Sequence, residues 1–449
     1  MTLKQRRWLY LGLIILFFIS APLFIIYSFG FRYNFQQQKL QKTGALYLRT
    51  HPSGAEIILN NKSIGINTPN KIINLLPGDY QILLQKNGYF PWQKSLRIQS
   101  SLTTFAEDVY LFKNQLIPEL LTNGQIDNFS ASPTRKKIIY TVNQGKIKNT
   151  FLFYFDSFKS EQIDVTLDLK NFNNWSNDET KILAQTKNQH FFVIDLNNQN
   201  KVINLWQNNN LIFDYLSWDD QSSNILWGLI NQKLYKIDLL TNQVEKIDSP
   251  KIFNFLPATE GFYYIFQKPN STNLTVALAK YKKFDEVKEI SELPFNKTFQ
   301  IKKIADWLFI YNSEELTLYL LKLNNQQPLF YNVLKSVNGY ALKNNNLLYW
   351  NDFEYFIYNL DNQNNQLIER LSTPISQVFW HPEANYLLVE TANSLKIIEI
   401  DDRDQKNSYE LIKPEQLIMD KITFSPNNEI IVFATKTAEA EGLFSLNLQ

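Results

Sequence analysis

Residues able to do chemistry are sparse in this 449-residue chain, and their spacing is uninformative for a reaction. It holds three histidines, His51, His190 and His381, and no cysteine. The histidines are far apart in sequence, with none of the i, i+4 spacing that sets two imidazoles around a zinc ion. Without cysteine there is no thiolate nucleophile and no disulfide. Asp178, Asp219, Asp220 and Glu383 recur in comparable turns and raise the idea of a general acid and base pair. Turns favour Asp and Asn because their side chains hydrogen-bond nearby backbone, so capping is the expected role. Asp156, Asp195 and Asp238, which close strands at equivalent places, are expected to do the same. Trp175, Trp218 and Trp380 could stack on a ligand, but their matched positions favour packing. No Gly-rich phosphate loop, Gly-x-Ser-x-Gly elbow or Asp-x-Asp-x-Asp calcium loop occurs, and there are only 13 glycines. No catalytic, metal or cofactor-binding residue is assigned, and no cofactor is expected.

The elements that would position these residues are short strands, and they repeat. From residue 113 onward an aromatic or apolar residue, a polar turn and an apolar strand recur. The unit reads Ala131-Ser-Pro, Trp175-Ser-Asn-Asp, Trp218-Asp-Asp, Phe255-Leu-Pro, Trp380-His-Pro-Glu and Phe424-Ser-Pro-Asn, with weaker copies near Ile301 and Tyr340. About 20 residues later a second signal follows, an apolar strand ending in Asp, Asn or Glu, as in Phe192-Val-Ile-Asp195 and Ile397-Ile-Glu399. A repeat of about 42 residues with four short strands fits one blade of a β-propeller. These repeats resemble TolB-like and WD40-like propellers, whose turn motif reads Trp-Ser-Pro-Asp-Gly, although no repeat here has all five residues. Eight anchors favour eight blades, with seven as the alternative. The last repeat supplies two strands after Phe424, and Leu116 to Phe129 is expected to complete that blade and close the ring.

Residues 44–112 carry different punctuation: Pro52-Ser-Gly-Ala55, Gly65, Thr68-Pro69, Pro77-Gly-Asp-Tyr80 and Gly88-Tyr89, closing on Trp92. Pro77-Gly78 suits a type II turn with φ > 0 at Gly78. Between the turns, Leu46 and Leu48, Ile57 and Leu59, and Tyr80, Ile82 and Leu84 alternate as buried strand faces do. The stretch resembles a PEGA domain, a small β-sandwich of microbial cell-surface proteins, and that resemblance implies a non-catalytic module outside the cytoplasm. Tyr89, Phe90 and Trp92 are either an exposed contact patch or, the favoured reading, packing across the sandwich about a turn at Gly88.

Trp8 to Phe31 is apolar throughout, long enough to cross a hydrocarbon layer of about 30 Å as a helix. Lys4, Arg6 and Arg7 precede it and favour a cytoplasmic N-terminus. A cleaved signal peptide is the main rival, but the small-residue site it needs is poor, since Ser20-Ala21 is followed by Pro22 and more apolar sequence. The anchor segment carries three of the 45 Lys and Arg and none of the 43 Asp and Glu, leaving a nearly neutral remainder. That balance argues against nucleic acid as a partner. The expected organisation is a cytoplasmic stub (1–7), a transmembrane helix (8–31), a polar spacer (32–43), a PEGA-like β-sandwich (44–112) and a β-propeller (113–449). The expected role is non-enzymatic: a single-pass cell-surface binding or scaffolding protein whose partner is an envelope protein or cell-wall component. Two alternatives stand beside it, an envelope hydrolase or lyase with a site in the propeller channel, and a structural link between membrane and cell wall or surface layer.

Overall fold

The computed structural model describes residues 3–449 apart from 36, 144, 146–147, 166–168, 199, 206–210, 260, 281–282, 295–297, 324–328, 384, 393, 413–415 and 438. The chain begins with a 26-residue helix, α1 (Leu3–Ser28), none of whose residues is buried by the rest of the chain. At 1.5 Å per residue it is about 39 Å long, more than a bilayer core requires. It takes in Lys4, Arg6 and Arg7, which the sequence reading had placed in a stub.

The segment expected to be a spacer is ordered instead. β1 (Phe31–Asn34) and β2 (Lys39–Lys42) pair as an antiparallel hairpin directly after the helix. The guanidinium of Arg32 lies 3.5 Å above the Tyr27 ring and donates to the Tyr27 carbonyl and to Asn74 Oδ1. These contacts tie helix, hairpin and the next domain together.

That domain is a sandwich of two sheets. β3 (Gly44–His51) runs between β6 (Asn70–Leu75) and β9 (Thr103–Tyr110). The facing sheet has the order β5 (Lys62–Asn67), β4 (Glu56–Leu59), β7 (Gly78–Gln85), β8 (Trp92–Ile98). Leu46, Leu48, Ile57, Ile82, Leu84 and Leu96 form the shared core. The Pro-Ser-Gly-Ala loop is held by Thr68: Gly54 N–H donates to its carbonyl, Ala55 N–H donates to its hydroxyl, and that hydroxyl contacts Thr50 Oγ1 at 2.6 Å. Gly54 sits at φ +86°, open to glycine without cost. The type II turn at Pro77-Gly78 is not formed. Gly78 has φ +156°, far from the value near +80° such a turn needs, because it opens β7 and pairs with Ile98.

β10 (Glu119–Asn123) leads into the propeller, which comprises eight four-stranded antiparallel sheets among the described residues. Blades 1 to 7 are simple meanders beginning at Gln125, Leu169, Tyr215, Ile252, Phe299, Gly339 and Ile375. All eight sequence anchors fall on the first strand of a blade, and the strand ending in Asp, Asn or Glu is the third. First strands approach one another around the ring and are therefore innermost. Blade 8 is composite: three strands from Gln416 to Asn447, with β10 added outside Glu441–Asn447. Thus the N-terminal part contributes one strand to closure and not two. Gly124 at φ +119° ends β10, and Gln125–Ala131 opens blade 1.

Eight hydrophobic clusters lie between neighbouring blades, and alternation along each strand explains them. In blade 2, Ile182 and Ala184 face blade 1, whereas Leu183 faces blade 3. The cluster of Val432, Ala434 and Leu443 with Ile126, Ile138 and Tyr140 joins blade 8 to blade 1 and completes the circle.

Candidate interaction surface

The residues singled out for their chemistry divide between contacts that join neighbouring blades and caps of their own turns. The indole N–H of Trp175 donates to Ser130 Oγ, that of Trp218 to the Asn174 carbonyl and that of Trp380 to the Ala341 carbonyl, each at 3.1 Å and each into the preceding blade. The inner turns after the first strands are cross-linked likewise. Glu179 accepts from Thr134 N–H and hydroxyl, Asn177 donates to the Asp220 carbonyl at 2.7 Å, and Thr259 donates to Asp220 Oδ2 at 2.6 Å. Asp178 caps its own turn, accepting from Ser176 Oγ and from Thr180 N–H and hydroxyl. Burial opposes ionisation of Asp178, but hydrogen bonding from Ser223, Ser176 and Thr180 outweighs it and holds its carboxyl well below the usual range. Asp219, buried, accepts the Trp227 indole N–H at 2.8 Å. Asp195 and Asp238 cap the turns after their third strands, whereas Glu383 stays exposed on the blade 7 turn. Asp156 accepts instead from the N–H of the next residue, Ser157.

The histidines are not all unrelated, as their spacing in sequence implied. His51 stacks on Tyr110 at 4.9 Å, and Tyr110 meets His381 at 5.1 Å, while His190 lies apart on blade 2. No group of three His, Asp or Glu suited to a metal occurs among the described residues. His381 is fully buried, and burial together with Lys343 and Arg135 lowers its pKa to about 3.

Tyr110 and His381 belong to a junction that sequence spacing did not reveal. The aromatic trio Tyr89, Phe90 and Trp92 divides between two cores: Tyr89 packs on the sandwich, and Phe90 stacks on Tyr409 of blade 7 at 5.0 Å. Trp92 is buried in the sandwich yet donates its indole N–H to Glu399 Oε1 at 3.0 Å. Glu399 also accepts from Asn407 Nδ2 at 2.8 Å and pairs with the buried Lys94 ammonium at 3.1 Å. Lys94 donates in addition to the Asp401 carbonyl at 2.7 Å. β8 is an edge strand, and the blade 7 loop covers its free donors: Gln93 N–H reaches Asn407 Oδ1 and Ser95 N–H reaches Asp404 Oδ2. Arg403 grips Asp401 and donates to the Phe105 carbonyl at 2.7 Å. Burial raises the Asp401 carboxyl, but hydrogen bonds from Arg403 and the charge of Lys94 more than reverse this. Beside the loop lies a cavity of about 410 Å³ lined by Glu107, Asp108, Asn385, Asp401 and Arg403. A second, of about 420 Å³, lies between blades 8 and 1, lined by Tyr154, Phe158, Pro426 and Ile430.

On the innermost strand of blade 5, Lys302 keeps solvent exposure, but partial desolvation of its ammonium lowers its pKa. Tyr215 on the innermost strand of blade 3 is shifted up for the same reason.

The architecture is an all-β assembly of a small sandwich and an eight-bladed propeller behind one apolar helix. Residues 43–111 match the PEGA domain. No curated protein matches the sequence. Among solved structures, the Dos1 propeller is similar at 12% identity and a TM-score of 0.50, over 74% of this chain and 95% of that one. BamB from Moraxella catarrhalis is similar at 7% identity and a TM-score of 0.46, over 74% and 100%. PorZ, an essential surface component of the type-IX secretion system of Porphyromonas gingivalis, is similar at 11% identity and 0.39, over 71% of this chain but only 42% of PorZ. These likenesses concern the propeller fold alone.

Proposed function

We propose that this is a single-pass membrane protein with a cytoplasmic N-terminus, whose PEGA domain and propeller form a non-catalytic binding or scaffolding platform outside the membrane. The observation that carries this reading is the continuous coupling from α1 to the ring. Arg32 ties helix and hairpin to the sandwich, and the Trp92–Lys94–Glu399 network ties the sandwich to blade 7. A rigid mount of this kind suits presentation of a surface at fixed height to an envelope protein or wall component. The indoles of Trp175, Trp218 and Trp380 and the carboxylates of Asp178, Asp219 and Asp220 are bonded within and between blades.

Protease added to spheroplasts should digest the mass from Phe35 to Gln449, and full protection of that mass would reverse the orientation. Photo-crosslinking residues at exposed positions around the ring, such as Ile212, Leu240 and Phe353, test the binding role in living cells. Discrete adducts from one sector are expected. Absence of adducts from every sector, or turnover of wall material by the purified protein, would overturn it. Co-sedimentation with purified wall, without protein adducts, would mark a structural link instead.

A further inference from the structure

The hairpin after α1 has two chemically different faces. Antiparallel pairs share a face, so Phe31, Tyr33 and Leu40 lie on one side with Lys42, while Arg32, Asn34, Lys39 and Gln41 lie on the other. The polar side is internally satisfied: Asn34 Nδ2 donates to Gln41 Oε1 and its Oδ1 accepts from Gln37 N–H. The apolar side is open. Tyr33 is 47% exposed, Leu40 54% and Phe35, at the tip, 84%. Tyr33 and Phe35 meet edge to face at 5.1 Å.

A two-stranded ribbon in water is marginal on its own, and exposing its aromatic face makes it more so. Yet this one is anchored at its base. Thr43 N–H donates to the Gly30 carbonyl at 2.9 Å, and Arg32 reaches Asn74. Two more exposed apolar side chains, Ile73 and Leu102, sit next to Asn74 and Ser101, the residues bonded to the hairpin and to Thr43. The helix surface leading into the hairpin is apolar as well, with Phe24, Tyr27 and Phe29 all exposed. Tyrosine and other aromatic side chains favour the boundary between headgroups and acyl chains, and lysines beside them reach the phosphates.

We propose that the hairpin is a second membrane contact, its Tyr33, Phe35 and Leu40 face seated in the headgroup layer of the leaflet where α1 ends. Lys42, on the same side, meets lipid phosphates in this arrangement. The hairpin then fixes the tilt of the PEGA domain and the ring over the bilayer, which a lone helix cannot do. This inference rests on the reading of α1 as a membrane span.

The chain has no cysteine, so single cysteines can be placed at will. Full-length protein carrying Phe35→Cys, Leu240→Cys or Ile14→Cys, labelled with a fluorophore, is reconstituted in vesicles of phosphatidylcholine and phosphatidylglycerol. Quenchers are aqueous iodide, lipid spin-labelled near the headgroup and lipid spin-labelled at mid-chain. The proposal expects the position 35 probe to be quenched several-fold more by the shallow lipid label than by the deep one, and to be shielded from iodide. The position 240 probe, on the propeller, should respond to iodide alone. Iodide quenching at 35 equal to that at 240, with the position 14 probe still quenched at mid-chain, overturns the hairpin contact and leaves the span intact. Iodide access at position 14 overturns the span, and the hairpin contact with it.

Discussion

His381 shows how a single buried side chain sets a pH limit. Packed among Tyr110, Phe112 and Phe424 where blade 7 meets the PEGA domain, it is kept neutral, with its pKa lowered to about 3. In the unfolded chain an imidazole titrates near 6.5. Between those values the unfolded state holds the extra proton, so stability falls as pH drops, by up to about 1.4 kcal/mol per pH unit. Urea unfolding of wild type and His381→Gln at neutral pH and near pH 4.5 should show a shallower pH dependence in the variant. Identical slopes would show that His381 does not carry the effect. The turn carboxylates behave otherwise, and their role was legible in sequence. Asp178 and Asp238 bond the backbone two residues on, which is the local habit that places Asp in turns. Glu399 was not legible, since it looks like one more acid closing a third strand while its partners Trp92 and Lys94 lie about 300 residues earlier.

At the scale of strands and blades, the periodic aromatic and turn residues located every first strand, including those near Ile301 and Tyr340. The strand-closing signal was absent from blades 4 and 5, whose third strands end in Lys280 and Lys322. Blade 8 was misdivided because nothing local distinguishes β10 from Gln125–Ala131; only pairing with Glu441–Asn447 does so. That pairing is tight at Gly442, where a Cβ would come within 2.1 Å of the Thr122 carbonyl oxygen. Gly442→Val should therefore strip β10 from the ring and expose two strand edges. The expected outcome is a lower unfolding midpoint for the whole propeller together with self-association, read by calorimetry and light scattering. Deleting residues 116–124 should reproduce it. A variant that merely frays locally, with an unchanged midpoint, would mean that closure does not depend on β10.

Across the whole molecule, the PEGA domain and the propeller share buried charge. Removing one partner of a buried pair costs about 3–5 kcal/mol, because the other is left uncompensated. Lys94→Met should impose that cost on Glu399 and separate the unfolding of the two domains into distinct transitions. Adding Glu399→Gln should recover part of the loss. One unchanged cooperative transition in Lys94→Met would show that the aromatic contacts of Phe90 and Phe112 suffice to couple the domains. The fold class could be read from repeats because each blade is built from neighbouring residues. How the two domains meet could not, because a long-range contact leaves no period in the sequence.

Composite closure also has a consequence in time. β10 is made early, but its partner strand is about 320 residues further along the chain. Throughout synthesis β10 has no partner strand until Glu441–Asn447 is made, and closing the ring must bring together its most distant parts. Such late, non-local pairing is slow, since loop-closure entropy is spent before the contacts form. Until Gly442 and its neighbours arrive, the partly built propeller presents two open edges. The interval between those events is when it most needs protection from other chains.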